Sequence, residues 1–189
     1  MTQLTGGAPA AAHPVRLTLR DGSLVELRQL TAASRDRLRA GFGALSPRSR
    51  YLRFMSPVHE LSERGLRYLA EVDQRDHLAW GAVDPSLPGQ PGLGVARCVR
   101  LRNEPTVAEP ALAVVDSHHR RGLGTALLEV LARSAYDRGI TTWRAYVLAE
   151  NVAMLSLLRR FEPALILDGG GVVRAEIDVA RVLGRRPAA

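Results

Sequence analysis

The chain has 189 residues and a formal net charge of +7, because 26 arginines and no lysine stand against 19 acidic residues. The length is typical of one domain with its own core. The arginines are spread evenly along the chain, which argues against nucleic-acid binding. Cys98 is the only cysteine, so no intramolecular disulfide can form and a cytoplasmic location is expected. No apolar run reaches the length of a membrane span, so no membrane association is predicted.

The N-terminal part is predicted to hold an arm, a hairpin and three short helices. Residues 1–14 are rich in Ala, Gly and Pro and are predicted to form a disordered arm. Two runs in which apolar and polar residues alternate flank Asp21-Gly22, and this pattern predicts a hairpin. Three helices are expected to begin after hydroxyl N-caps, at Thr31, Ser46 and Ser62.

The rest of the chain alternates strands and helices and ends in a tail, residues 184–189. The unit of strand, helix and strand around residues 106–148 requires one parallel pair, and the other connections favour antiparallel pairing. We therefore predict an α/β (α+β) fold with a mixed, mostly antiparallel sheet of about seven strands and helices on both faces. Later strands are expected at residues 77–83, 93–101, 106–115, 141–148, 164–167 and 172–179. Later helices are expected at residues 123–138 and 151–160.

The turn after Asp116 is the most informative segment. A basic run leads to Gly122 and Gly124, where the longest predicted helix begins. Free N–H groups at a helix N-terminus, close backbone approach at glycine and nearby arginines favour a bound phosphate. A dinucleotide fingerprint is excluded because residue 127 is Leu, and the Gly-Lys-Ser/Thr of nucleoside-triphosphate loops is absent. A plain connection between strand and helix is the alternative.

The segment His119-Arg120-Arg121-Gly122-Leu123-Gly124 resembles the Gln/Arg-x-x-Gly-x-Gly/Ala motif of the GNAT acyl-CoA N-acyltransferases, with His119 at the first position. Residues 45–54, 72–77 and 149–154 resemble the acetyltransferase domain of bacterial Pat-type protein lysine acetyltransferases. The resemblance covers roughly residues 15–165 and implies a single GNAT domain over residues 15–183.

The resemblance implies that acetyl-CoA is the co-substrate, with its pyrophosphate on the turn. It also implies that two central strands splay apart and that the pantetheine arm inserts between them. No metal is expected. The residues implied to bind acetyl-CoA are Val114, Val115, His119, Arg120, Arg121, Gly122, Leu123, Gly124, Thr125 and Asn151.

Glu109 is the predicted general base. Period-2 alternation places it on one strand face with Ala111, Ala113 and Val115, where a carboxylate is expected to be buried and close to the acyl group. Resemblance to Pat-type enzymes supports this role, and a solvated carboxylate or an arginine partner is the alternative. Pro110 conflicts with an interior strand, so a bulge is expected there.

The predicted activity is direct transfer of an acetyl group to a primary amine, and the resemblance implies a protein lysine. Leu158 occupies the place of the tyrosine that protonates the leaving thiolate in many GNAT proteins, so water is expected to do so here. Two alternatives stay open: a small-molecule amine as acceptor, and an acyl-CoA-binding module with little turnover, which Leu158 and Pro110 motivate. A homodimer also stays open.

Overall fold

The computed structural model describes residues 13–184, and most of the predicted arm and tail, residues 1–12 and 185–189, lie outside the described residues. The described chain forms one eight-stranded sheet in the order β1-β2-β3-β4-β5-β6-β8-β7. The strands are β1 (Val15–Thr18), β2 (Leu24–Gln29), β3 (His77–Val83), β4 (Gly92–Leu101), β5 (Glu104–Val114), β6 (Thr142–Leu148), β7 (Ala164–Leu167) and β8 (Val172–Asp178). The α-helices are α1 (Arg35–Gly43), α2 (Pro47–Phe54), α3 (Glu63–Ala70), α4 (Leu123–Tyr136), α5 (Val152–Arg159) and α6 (Val179–Val182).

The predicted mixed sheet is confirmed. Neighbouring strands pair antiparallel except for β5 and β6, which are parallel and are joined by α4. The hairpin at Asp21-Gly22 is also confirmed, with Thr18 paired to Leu24 and Gly22 at a φ of 86°. The described residues contain eight strands where about seven were predicted.

Local capping explains where the helices start. The side chains of Ser46 and Ser62 accept hydrogen bonds from the backbone N–H groups of Ser49 and Gly65, as predicted. The helix expected directly after Thr31 starts only at Arg35. The Ser34 hydroxyl accepts a bond from the Thr31 N–H, and the Ser34 N–H donates to the Thr31 carbonyl, which closes a 3₁₀ turn first.

The helices cover both faces of the sheet. Trp80 donates its indole N–H to the Ser134 hydroxyl on α4, whereas Arg97 donates to the Leu69 carbonyl on α3. The α4 side chains of Leu123, Leu127 and Leu131 have no exposed surface and form the centre of the core on their face. The opposite face carries α1, α2 and α3.

The two parallel strands separate soon after they meet. β5 and β6 pair only through Val107 with Thr142 and Ala108 with Trp143, although β5 continues to Val114 and β6 to Leu148. Beyond these two pairs the backbone groups of β5 that face β6 have no strand partner. The predicted splaying of the central strands is therefore confirmed.

The bulge expected at Pro110 is wrong, and the splaying explains why. Pro110 lies in regular register opposite Cys98 of β4, and the irregularity in this pair of strands lies at Arg100 and Leu101 instead. Val115 donates its N–H to the Leu93 carbonyl of β4, so by alternation the nitrogens of residues 113 and 111 face β4 and that of Pro110 faces β6. No β6 carbonyl pairs there, so the proline removes no ladder bond.

We expect proline at neighbouring positions of β5 to have very different costs. Pro110→Ala changes chiefly the freedom of the unfolded chain and should lower the free energy of unfolding by about 0.4–1 kcal/mol. Ala111→Pro removes a backbone N–H that donates to β4 and leaves the β4 acceptor unpaired. It should lower the free energy of unfolding by about 1–3 kcal/mol more than Pro110→Ala does. Urea unfolding of both variants measures the difference, and equal losses would contradict the assigned direction of these groups.

Candidate functional site

The gap between β5 and β6 opens into a cavity of about 1070 Å³. One wall is β5 from Glu109 to Val114, and the facing wall is β6 from Trp143 to Val147. The start of α4 and the first turns of α5 close it on the α4 face of the sheet. The cavity brings together most of the predicted site residues: Glu109, Val114, His119, Arg120, Gly122, Gly124, Thr125 and Asn151.

Three predicted residues lie outside the cavity lining. Leu123 has no exposed surface and belongs to the core, so the structure gives it a packing role. Val115 lines a separate cavity on the opposite face, and its N–H already bonds Leu93. Arg121 turns toward the β1–β2 hairpin, where its guanidinium donates to the Asp21 carboxylate at 2.6 Å.

The turn that opens α4 has the geometry of an anion site. Arg120 and Gly122 both adopt the left-handed region, with φ of 59° and 96°. No side chain caps α4 at Gly122, and the first N–H with a partner inside the helix is that of Ala126. The preceding N–H groups point out of the helix end, where the helix dipole adds partial positive charge.

Gly124 lets α4 lie close to the strand that ends at the turn. A Cβ at this position would stand 3.2 Å from the Leu112 side chain of β5 and 3.4 Å from that of Leu157 of α5. The glycine therefore keeps the helix end against the gap. This close approach is the reason that the turn and the gap form one continuous surface.

Two arginines that the sequence did not single out add charge to the turn. Arg20 lines the cavity, and its side chain lies 3.8 Å from the place of a Gly122 Cβ. Arg160 follows α5 and donates to the Thr125 hydroxyl at 3.1 Å. Nothing in the local sequence of either residue signals phosphate, because both reach the turn only through the fold. Tyr146 of β6 is another lining residue that the sequence did not indicate.

Backbone groups of Val114 face into the gap. Because the Val115 N–H bonds β4, alternation directs the Val114 N–H and carbonyl toward β6, where no strand pairs with them. The His119 ring donates from Nε2 to the Val114 carbonyl at 2.8 Å, which ties the turn to the strand end. A carbonyl oxygen can accept a second bond, so both backbone groups of Val114 remain available to an amide ligand.

Glu109 is exposed at the mouth of the cavity, so the expected burial is wrong. Glu109 lies on the sheet face that carries α2, and the half-buried Arg53 of α2 is a neighbouring charge. Burial lowers the pKa of the Arg53 guanidinium, and the negative charge of Glu109 opposes that shift. The carboxylate therefore stands next to a cation, in contact with solvent.

Asn151 and Leu158 shape the side of the cavity formed by α5. The Asn151 side chain accepts the Met154 N–H at 3.1 Å, so its predicted role as a helix N-cap is confirmed. Leu158 is 3% exposed and lines the cavity with an apolar side chain. No proton donor stands at that position.

The sequence candidate Cys98 is explained by packing. Cys98 is fully buried, and burial raises the pKa of its thiol to about 12, so it stays a protonated core residue as expected. Among residues 13–184, no cluster of three or more His, Cys, Asp or Glu side chains is placed to hold a metal ion. Within the same range, every helix is too short or too polar to cross a bilayer.

Asp116 anchors α2 to the end of β5. Its carboxylate accepts the Ser46 N–H at 2.9 Å and the hydroxyls of Ser46 and Ser49 at 2.8 Å each. Partial burial by itself would raise the pKa of Asp116, but these hydrogen bonds outweigh it and place the pKa below the usual 3.8. The ionised carboxylate thus holds the helix that carries Arg53 beside the gap.

We expect Asp116→Asn to lower the free energy of unfolding at pH 7 by about 0.5–1 kcal/mol, a modest loss because the site is exposed. The folded pKa is depressed, so the wild-type contribution is complete above the usual pKa and disappears as the pH falls through the folded value. Thermal unfolding from pH 7 to pH 3 should show the two proteins converge in acid. Asp168→Asn, on an exposed turn, is the control, and a difference that does not shrink between pH 7 and pH 3 would contradict the assignment.

A model of the acetyltransferase (GNAT) family matches residues 46–162. The curated Acetyltransferase Pat of Mycolicibacterium smegmatis is 33% identical over 169 residues, which are 89% of this chain and 50% of that protein. The crystal structure of the GNAT domain of S. lividans Pat has a TM-score of 0.80 at 29% identity and covers 87% of this chain and 96% of that one. A cAMP-binding acyltransferase from Mycobacterium smegmatis has a TM-score of 0.63 at 28% identity, over 88% of this chain and 47% of that one.

This chain therefore spans about half the length of the two mycobacterial relatives. The family match contains α2, all of β5 and the turn that opens α4, which together build the cavity. The family match covers more than half of this chain. The predicted resemblance to Pat is confirmed by sequence and by structure. The chain belongs to the GNAT family of acetyltransferases.

Proposed function

We propose that the protein transfers an acetyl group from acetyl-CoA directly to a primary amine within a ternary complex. One observation carries the proposal. The gap between β5 and β6 has an uncapped helix N-terminus and arginines at one end and the Glu109 carboxylate at the other. A ligand that ends in a diphosphate and carries a thioester on a long amide arm suits both ends of such a gap.

The turn supplies the contacts that a diphosphate needs. The N–H groups before Ala126 and the side chains of Arg20 and Arg120 bind its oxygens. Arg121 contributes through its backbone, because Asp21 holds its side chain. The outward-facing N–H and carbonyl of Val114 pair with the amides of the pantetheine arm, and Asn151 adds a polar contact from the start of α5. His119 steadies the turn through its bond to Val114.

Glu109 acts as the general base. An amine with a pKa of about 10.4 is protonated at neutral pH and must lose a proton before its nitrogen attacks. Glu109 accepts that proton, directly or through water, since it is exposed at the mouth of the gap. The C–N bond then forms and the C–S bond breaks. The nitrogen releases its second proton to water as the amide forms, and the leaving thiolate takes a proton from water, because Leu158 has none to donate.

Two classes of acceptor fit the proposal. A protein lysine is the acceptor that the resemblance to Pat-type enzymes implies, and the exposed position of Glu109 leaves it within reach of a side chain on another protein. A small-molecule amine is favoured by a different observation, which is the second cavity beside Arg53.

Glu109→Gln should lower kcat by about 10²–10⁴-fold, because the amide cannot take the proton. The affinity for acetyl-CoA should stay unchanged, since the turn is intact. Thiol release measured with an amine panel gives kcat, and calorimetry gives the affinity. Glu129→Gln, on the exposed surface of α4, is the matched control. Full turnover by Glu109→Gln with cofactor binding intact would rule out its role as base.

Arg20→Ala and Arg120→Ala should each weaken CoA binding by about 10-fold or more, because each removes a charge-assisted contact to phosphate. Arg121→Ala should have the smaller effect, since its guanidinium is already paired. Titration calorimetry with CoA and with pantetheine separates the diphosphate contacts from those of the arm. If Arg121→Ala proved the most damaging of the three, the assigned contacts would be wrong.

A further inference from the structure

A second cavity, of about 470 Å³, lies on the face of the sheet that α1, α2 and α3 cover. This volume is in the range of sites for small molecules. Most of its wall is apolar, and no aspartate or glutamate of the described residues lines it. The strongly basic side chains of the wall are four arginines, Arg28, Arg37, Arg53 and Arg97.

Arg97 is a buried cation without a counter-anion. Its residue is 5% exposed, and its guanidinium donates to the Leu69 carbonyl at 2.6 Å and to Nε2 of His77 at 3.0 Å. Burial, helped by the charge of Arg97, lowers the pKa of His77 to about 4, so this ring is a neutral acceptor at pH 7. Burial and the charge of Arg53 lower the pKa of Arg97 to about 10, which still leaves it charged.

An unpaired charge in this position is costly unless an anion joins it. Among the described residues, no carboxylate lies within ion-pair distance of Arg97, Arg53 or Arg37, while Arg28 is paired with Glu26. The cavity therefore has an excess of positive charge on apolar walls. That combination selects for a ligand with a negative group.

The arginine cavity, as we call this second space, communicates with the gap. Arg53, Phe54, Leu45 and Ala113 line both spaces. Glu109 pairs with Val99 and Ala111 pairs with Arg97, so Arg97 and Glu109 are diagonal neighbours on one face of the sheet. The backbones of diagonal neighbours are about 7–8 Å apart, and the Arg97 guanidinium extends from there to Leu69 and His77. Arg97 and Glu109 therefore belong to one continuous part of this sheet face.

We propose that the arginine cavity is the acceptor pocket and that it takes a small amine bearing a carboxylate, of the amino-acid class. Arg97 pairs with the carboxylate, the apolar wall packs against the carbon skeleton, and the amine points past Arg53 to Glu109. The proposal rests on the proposed function and decides its acceptor. A planar carboxylate suits the fork of a guanidinium, and the burial of Arg97, which is 5% exposed, favours a free metabolite over a peptide.

The test uses the full chain, acetyl-CoA and matched acceptors: free amino acids and short ω-amino acids, each beside its carboxamide. Calorimetry on the CoA-bound protein measures acceptor binding, and thiol release measures turnover. We expect KM to be about 10–100-fold lower for at least one carboxylate than for its amide, since the amide loses a charge-assisted bond. Arg97→Leu should abolish that preference without changing the affinity for CoA.

Arg37→Leu, at the more open wall of the same cavity, is a second variant in case Arg97→Leu fails to fold, and it should weaken the preference in the same direction. Arg102→Leu, on the exposed turn before β5, is the matched control. Equal use of carboxylates and amides, no binding of either, or better use of lysine peptides would overturn the acceptor proposal. If CoA itself failed to bind, the proposed function would be at fault instead.

Discussion

β5 and β6 separate after Ala108, and the cavity of the candidate site lies in the gap between them. This separation leaves the Val114 N–H and carbonyl, which face away from β4, without a partner on β6. Unpaired backbone groups inside a fold need partners, and an extended amide ligand can provide them. The same separation explains why Pro110 is tolerated in an interior strand. A proline that would remove a hydrogen bond from a fully paired sheet is thus harmless on the side of β5 that faces the gap.

The site is divided between the two faces of the sheet, and Arg53 stands where they meet. On the α4 side, the helix N-terminus and Arg20 place positive charge where we propose that a diphosphate binds. On the other side Arg97 gathers positive charge in a pocket of small-molecule size. Glu109 lines the gap between these two basic regions, where the proposed transfer would require a proton acceptor. Some of the arginines that give the chain its positive net charge therefore line the two places where anionic ligands would lie.

Local signals predicted the parts of this arrangement that depend on few residues. Ser46 and Ser62 indicated helix starts because a hydroxyl cap acts within one turn, and the glycines after Asp116 indicated the anion site for the same reason. The sequence could not indicate Arg20, which reaches the turn from a hairpin 100 residues away, or Arg97, whose burial follows from packing under α3. Alternation placed Glu109 on the correct face of the sheet, but the expected burial was wrong. Alternation shows which face a side chain is on, and it does not show how far that part of the strand is covered.

The crystal structure of the protein with CoA tests the central claim most directly. We expect the diphosphate on the N–H groups that open α4 and the pantetheine arm between β5 and β6, with its amides bonded to the backbone of Val114. The sulfur should then lie nearer Glu109 than the turn. CoA bound on another surface, or an arm that leaves the β5–β6 gap empty, would contradict it.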